Sequence, residues 1–254
     1  MSKKHILVTN DDGIYAPGIK ALWEAMSELG HVTVVAPNRE QSAVGHAITL
    51  SDPLRVDKVN RSNGFKGFSV DGTPSDCVKI ATQALLEVEP NVIISGINLG
   101  SNTGTNIIYS GTVSAATEGT MLKIPSVAVS LNSFESRDFA GAKKAAKTVV
   151  SHVLEKGLPE KTLLNVNVPA ISENELKGYK ITQQGNVAFR DSFEKRVDPK
   201  GRVYYWMTGQ MFDPDEEPNM DHNAIMDNFV SISPIHYRLT NHDFLDELKS
   251  WDLS

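Results

Sequence analysis

The feature that most constrains this chain is a short apolar run that breaks off into charge. Ile6-Leu7-Val8 reads as a buried strand, and it ends abruptly in Asn10-Asp11-Asp12-Gly13. Beyond Pro17 the apolar residues Ile19, Leu22, Trp23, Met26 and Leu29 recur at helical spacing until Gly30 stops the pattern. Val32-Thr33-Val34-Val35-Ala36 follows, apolar on both faces as a buried parallel strand must be. Strand, helix and strand at this spacing form a βαβ unit, which commits the chain to layered α/β architecture. The turn lacks the Gly-x-Gly-x-x-Gly fingerprint, so a nicotinamide or flavin cofactor is not expected.

The same alternation continues for about 170 residues. The second strand runs out into Pro37-Asn38-Arg39-Glu40-Gln41-Ser42, a polar loop that also reaches His46. Ala47–Leu50, Leu54–Val59 and Phe65–Val70 read as short strands broken by Pro53 and Asn63-Gly64, an antiparallel excursion from the main sheet. Gly72-Thr73-Pro74-Ser75-Asp76 opens a capped helix with the inner stripe Cys77, Ile80, Ala81 and Ala84. A third buried strand, Val92–Ser95, leads into a long Gly-, Ser-, Thr- and Asn-rich loop, 96–106, and then a small-residue helix from Val113 to Leu122 that begins at Ser110-Gly111-Thr112. Ser126–Leu131, a long helix through Ala142, Val149 and Leu154, and Leu163–Val168 complete a mostly parallel sheet with helices on both faces. Residues 1–170 read as this core. Residues 171–254 read as an extension of the same domain, with antiparallel hairpins and a C-terminal arm. Within it, Val203–Met207 is an aromatic strand, Asp213–Pro218 an acidic turn, and Phe229–Ile232 a strand leading to His236.

In open parallel sheets ligands bind outside the carboxyl ends of the strands. Three polar clusters fall at three such ends here: Asn10-Asp11-Asp12, Asn38 to Ser42, and Ser95 to Asn98. Taken alone, the adjacent aspartates fit either a bound cation or a solvated turn that hydrogen-bonds its own backbone. Two carboxylates, a hydroxyl and an amide oxygen are hard donors, suited to Mg2+, Mn2+ or Ca2+ rather than zinc. Ser110-Gly111-Thr112 at a helix start offers amides, hydroxyls and the positive end of the dipole, an anion site without the lysine of a Walker loop. A hard cation beside a phosphate cradle points to metal-assisted phosphoryl chemistry.

Bulk properties narrow the partners. A net charge of −6 with pI near 5.7 argues against a nucleic-acid polymer as the ligand. The single Cys77 rules out an intrachain disulfide and fits a reducing compartment. The apolar stretches are too short for a signal segment or a membrane span, so a soluble, cytoplasmic protein is expected.

The runs Val8–Gly13, Ala36-Pro37 with Gln41-Ser42-Ala43, Gly72-Thr73-Pro74 with Asp76-Cys77, Ser95–Asn98 with Gly100, and Ser110–Ala116 closely resemble the SurE family of survival-protein-E acid phosphatases, or nucleotidases. The resemblance extends through Tyr204-Tyr205-Trp206 and Thr240, nearly the whole chain. It implies a Rossmann-like sheet and a C-terminal extension exchanged between subunits, giving a homodimer or homotetramer. The implied activity is divalent-metal-dependent release of phosphate from nucleoside 5'- and 3'-monophosphates, and in some members from short polyphosphate. Carried over by position, the ligands of one Mg2+ or Mn2+ per subunit fall on Asp11, Asp12, Ser42 and Asn98.

On this reading Asn98, Ser110, Gly111 and Thr112 hold phosphate, Asn10 supports the geometry, and Asp11 or Asp12 takes a proton from the attacking water. His236 and His46 are each either proton donors or histidines bonded to nearby groups. Two rival readings are a phospho-aspartate phosphatase, which needs Asp-x-Asp where this chain has adjacent aspartates, and a nucleotide-binding module without catalysis. A third is a scaffold whose aromatic arm mediates assembly.

Overall fold

The computed structural model describes residues 4–61, 64–212 and 217–253. In chain order its elements are β1 (His5–Thr9), α1 (Pro17–Ser27), β2 (His31–Pro37), β3 (Val56–Asn60), β4 (Lys66–Val70), α2 (Pro74–Ile80), β5 (Val92–Leu99), α3 (Gly111–Met121) and β6 (Ser126–Asn132). These are followed by α4 (Ala140–Lys156), β7 (Thr162–Pro169), β8 (Tyr179–Ile181), β9 (Ala188–Val197), β10 (Val203–Phe212), α5 (Asp221–Met226), β11 (Val230–His236) and α6 (Leu245–Lys249). Among the described residues one nine-stranded sheet has the order β3-β4-β2-β1-β5-β6-β7-β11-β8, and β9 and β10 form a separate antiparallel ribbon. Part of the acidic turn, residues 213–216, lies outside the described residues.

Alternation along β1 assigns the layers. Ile6 and Val8 face α1 and α4, packing with Ile19, Leu22, Met26, Ala145 and Val149, while Leu7 faces α2 and α3 with Val78 and Ala115. Both faces are dry, which is why the central strands carry no polar alternation. Cys77 is a buried wall of the second cluster. The helix start at α2 is capped as expected, and the structure makes it a reciprocal box: Thr73 accepts from the Asp76 N–H, and the Asp76 carboxylate accepts from the Thr73 N–H.

Three sequence expectations are corrected. Ala47–Leu50 is not a strand; side-chain bonds hold it, with Thr49 donating N–H and O–H to Asp76 and Thr73 donating to the Ala47 carbonyl. The β3–β4 pair is antiparallel, but β4 adds parallel to β2, so this segment is the edge of the main sheet rather than an excursion from it. Finally, β5 does not stop at Ser95. It continues to Leu99 with a register shift against β6, where Ser95 pairs with Ala128 and Asn98 with Ser130. Its polar end is a strand because β6 supplies the ladder, whatever its loop-like composition suggests. The extension likewise enters the sheet: β11 pairs antiparallel with β7 and parallel with β8.

Candidate active site

The carboxyl ends of β1, β2 and β5 lie side by side, and the chain leaving each of them is tied to the next. Gln41 donates its N–H to the Asp11 carbonyl at 2.8 Å, and Ile14 donates to the Pro37 carbonyl at 2.9 Å. The bulge in β5 redirects the strand just before Asn98, a usual role for bulges beside sites.

Asp11 is 4% exposed, and both its oxygens are spoken for at the start of α3. It accepts from the Thr112 N–H at 3.0 Å and from the Thr112 hydroxyl in a short contact. The approach is so close that a methyl group on Gly111 would stand 2.8 Å from the Asp11 Cβ and 3.0 Å from its Oδ2. Glycine at that position is therefore a requirement of packing. Ser110 caps the helix, its hydroxyl oxygen accepting from the Val113 N–H at 3.1 Å. The donors foreseen for phosphate at Thr112 thus serve Asp11 here, while Ser110 borders the cavity.

Asp12 is less well provided for, with a backbone hydrogen bond from Leu99. Burial, then the neighbouring Asp11 charge, then Glu40 push its carboxyl up to about 7. Asp11 is also raised, chiefly by burial, against the pull of its Thr112 bonds. Two carboxylates held at this cost suit a neighbouring cation.

The remaining donors fit such an ion. The Ser42 hydroxyl donates to Glu40 Oε1 at 2.6 Å, and Asn98 donates its Nδ2 to the Gly100 carbonyl at 2.8 Å. Each spends hydrogens on protein and keeps oxygen lone pairs. Asn10 donates to the Gly13 carbonyl, and its Oδ1 is buried with no hydrogen-bond partner among the described residues, as are the Thr9 and Ser95 hydroxyls. Orphaned oxygens beside paired carboxylates suit a hard divalent cation and the water it carries. Among the described residues no trio of His, Cys, Asp or Glu is grouped to hold a metal, so a cation here would need neutral oxygens such as those of Ser42 and Asn98.

Asp11, Ser42, Asn98 and Ser110 line one cavity of about 340 Å³. A larger open groove of about 570 Å³ between α1 and α4 has its lysines engaged: Lys143 with Glu24, Lys147 with Glu28, and Lys144 with Glu173. Neither histidine considered earlier lines the cavity. His46 bonds Glu118, and His236 stands opposite Thr162, at the far end of the sheet in this chain.

Sequence reading missed several neighbours. Glu40 sits beside both aspartates electrostatically, and Asn102 fastens the loop behind Asn98. The Asn102 N–H donates to Asn167 Oδ1, its side chain donates to Ser130, and its carbonyl accepts from Asn165 and Asn167. Buried Asp221 accepts N–H bonds from Gly104, Gly185 and His222, tying the same loop to the extension. Phe134, Phe189 and Met211 also line the cavity. The strand-end rule would have found Phe134, just past β6; nothing local marks the other two.

Comparison with known proteins places the chain in a family. The family model described as survival protein SurE matches residues 6–191. A protein of Syntrophobacter fumaroxidans named 5'-nucleotidase SurE is 47% identical over 248 residues, covering 98% of this chain and 99% of its own. One from Pelotomaculum thermopropionicum with the same name is 49% identical over 246 residues, covering 96% and 93%. The crystal structure of the SurE protein from Aquifex aeolicus superposes with a TM-score of 0.84 at 42% identity, covering 96% of this chain and 98% of that one. With its parallel-sheet rim, its paired aspartates and these relatives, the chain belongs to the SurE family.

Proposed function

We propose that this chain is a phosphomonoesterase that releases phosphate from nucleoside 5'- and 3'-monophosphates with one Mg2+ or Mn2+ per subunit. The observation that carries this is the placement of Asp11, Ser42, Asn98 and Ser110 on one cavity, with Asp12 beside them. The relatives' nucleotidase names support the substrate class.

Asp11, Asp12, Ser42 and Asn98 would hold the cation, which when bound polarises the phosphoryl group and offsets its charge. The chain's own contributions follow from the hydrogen bonds. Thr112 and Gly111 fix Asp11 against the helix start, so its carboxylate does not swing. The helix start and the Ser110 hydroxyl favour the phosphate dianion. Asn98 and Ser42 orient it from the opposite strand ends. Asp12, with the fewer hydrogen bonds, is the group left to take a proton from water as the oxygen–phosphorus bond forms. The ester bond then breaks, and the leaving nucleoside oxygen takes a proton from solvent.

Assembly through the extension is part of the proposal. Phe193, Tyr205, Trp206 and Met207 on the β9–β10 ribbon are each more than half exposed, which suits a face covered by a second copy. None of the described helices is long and apolar enough to cross a membrane, and we place the enzyme in the cytoplasm.

Incubation of the purified protein with AMP and Mn2+ is expected to release inorganic phosphate, and Asp12→Asn to abolish it while the fold survives. Binding of AMP without release would favour the binding module, and full turnover by the variant would remove the metal-site reading.

A further inference from the structure

The cavity is larger than a phosphate and an ion require. At about 340 Å³ it falls within the range of small-ligand sites, roughly 300–1,000 Å³. Its lining changes character away from the carboxylates, where Tyr109 and Phe134 join it with the amides Asn106 and Asn132. Phe134 is 82% exposed and Tyr109 63%. Lone exposed aromatics are unremarkable, but two on the wall of the same cavity as the aspartates are placed to meet what that cavity holds.

Both residues are joined to the site by short links of the chain. The Phe134 ring rests on Gly100, where an added Cβ would stand 2.5 Å from the ring edge and where φ is +100°. The Gly100 N–H donates to the Leu131 and Ser133 carbonyls, clasping the end of β5 to the exit of β6. The Ser133 hydroxyl accepts from the Glu135 and Ser136 N–H groups, closing the turn that presents the ring. Phe134 is thereby set two residues from Asn98 through Gly100. Tyr109 immediately precedes Ser110, and its carbonyl accepts the Gly45 N–H at 3.0 Å, which fixes the backbone that carries it.

We infer that Phe134, with Tyr109, forms an aromatic shelf on which the base of the substrate stacks while its phosphate lies at the aspartates. This rests on the phosphomonoesterase reading above. A flat heterocycle attached to a phosphate is the ligand this combination fits. Stacking accepts every base, and the larger purine surface gains most from it. Asn106 and Asn132 supply donors and acceptors for the base edge or the sugar hydroxyls.

The test compares AMP with ribose 5-phosphate, the same phosphomonoester without the base, in wild type and in Phe134→Ala and Phe134→Trp. Wild type is expected to favour AMP. Phe134→Ala should lower the ratio of kcat/KM for AMP to that for ribose 5-phosphate about tenfold, the usual consequence of removing one base–aromatic stack, and Phe134→Trp should restore it. An unchanged ratio, or a wild type indifferent to the base, would overturn the shelf. Equal loss on both substrates would overturn it too, since the ring would then merely brace Gly100 and Asn98. If wild type hydrolyses neither ester, the phosphatase reading fails on its own. Calorimetric titration of AMP and ribose 5-phosphate against the same variants then decides the shelf by the same ratio.

Discussion

Asp11 and Asp12 are adjacent in sequence yet differ sharply in how their charge is supported. Asp11 has a hydroxyl and an amide of Thr112, whereas Asp12 has the Leu99 amide and two acidic neighbours. A carboxyl raised from the ordinary 3.8 to about 7 weakens the fold as it ionises. The cost is absent below pH 4, grows through the interval between the two values, and is complete above pH 7. In EDTA, Asp12→Asn should therefore melt above wild type at pH 8 and level with it near pH 4, as thermal unfolding would show. Added Mn2+ should narrow that gap, stabilising wild type by about 2.7 kcal/mol at a hundred times its Kd and the variant by less. Gly111→Ala makes the complementary point. Alanine suits a helix, but its methyl would displace Asp11, so phosphate release from AMP should fall about a hundredfold and the melting temperature should fall with it.

Among the elements, α3 carries the most polar duties. Besides holding Asp11, it buries Glu118, which is 2% exposed and bonded to Lys79 at 2.7 Å and to His46 at 2.9 Å. Burial alone would raise that carboxyl, but the bonds and charges of His46 and Lys79 more than offset it and hold it below its ordinary range. The stabilisation is therefore present above the ordinary pKa near 4.5 and lost as pH falls through the depressed value. Both partners are about one-third exposed, so Glu118→Gln should cost only about 1–2 kcal/mol at pH 7 by urea unfolding, and nothing in strong acid. Sequence periodicity located β1, α1, β2, α4 and β7 because their burial is one- or two-faced over enough residues to leave a pattern. It found β5 over Val92–Ser95 but stopped short of Leu99, because Gly96, Asn98 and their neighbours look like loop, and it failed at Ala47–Leu50, whose alternation is satisfied by side-chain bonds. Of the residues that line the cavity, Asp11, Ser42 and Asn98 were legible from the strand-end rule, and Ser110 from its place at a helix start. Phe189 and Met211 were not, since they reach the cavity from a ribbon some ninety or more positions downstream of Asn98.

At the scale of the whole molecule, the exposed side chains of the β9–β10 ribbon lead to a prediction about mass. Sedimentation should find particles that are multiples of the 27.8 kDa chain, and Tyr205→Glu with Trp206→Glu should shift them toward the single chain. A chain that stayed monomeric before substitution would remove the proposed assembly. The pairing of β7 with β11 has a separate consequence for the growing polypeptide. Asp11, Asp12, Ser42 and Asn98 emerge from the ribosome early, but the flank of β7 stays unsatisfied until Val230–His236 is made, some sixty residues after β7 itself. During that interval the nascent chain exposes a bare sheet margin, an invitation to cling to its neighbours. Truncation near residue 170 should consequently yield inclusion bodies rather than a smaller working enzyme.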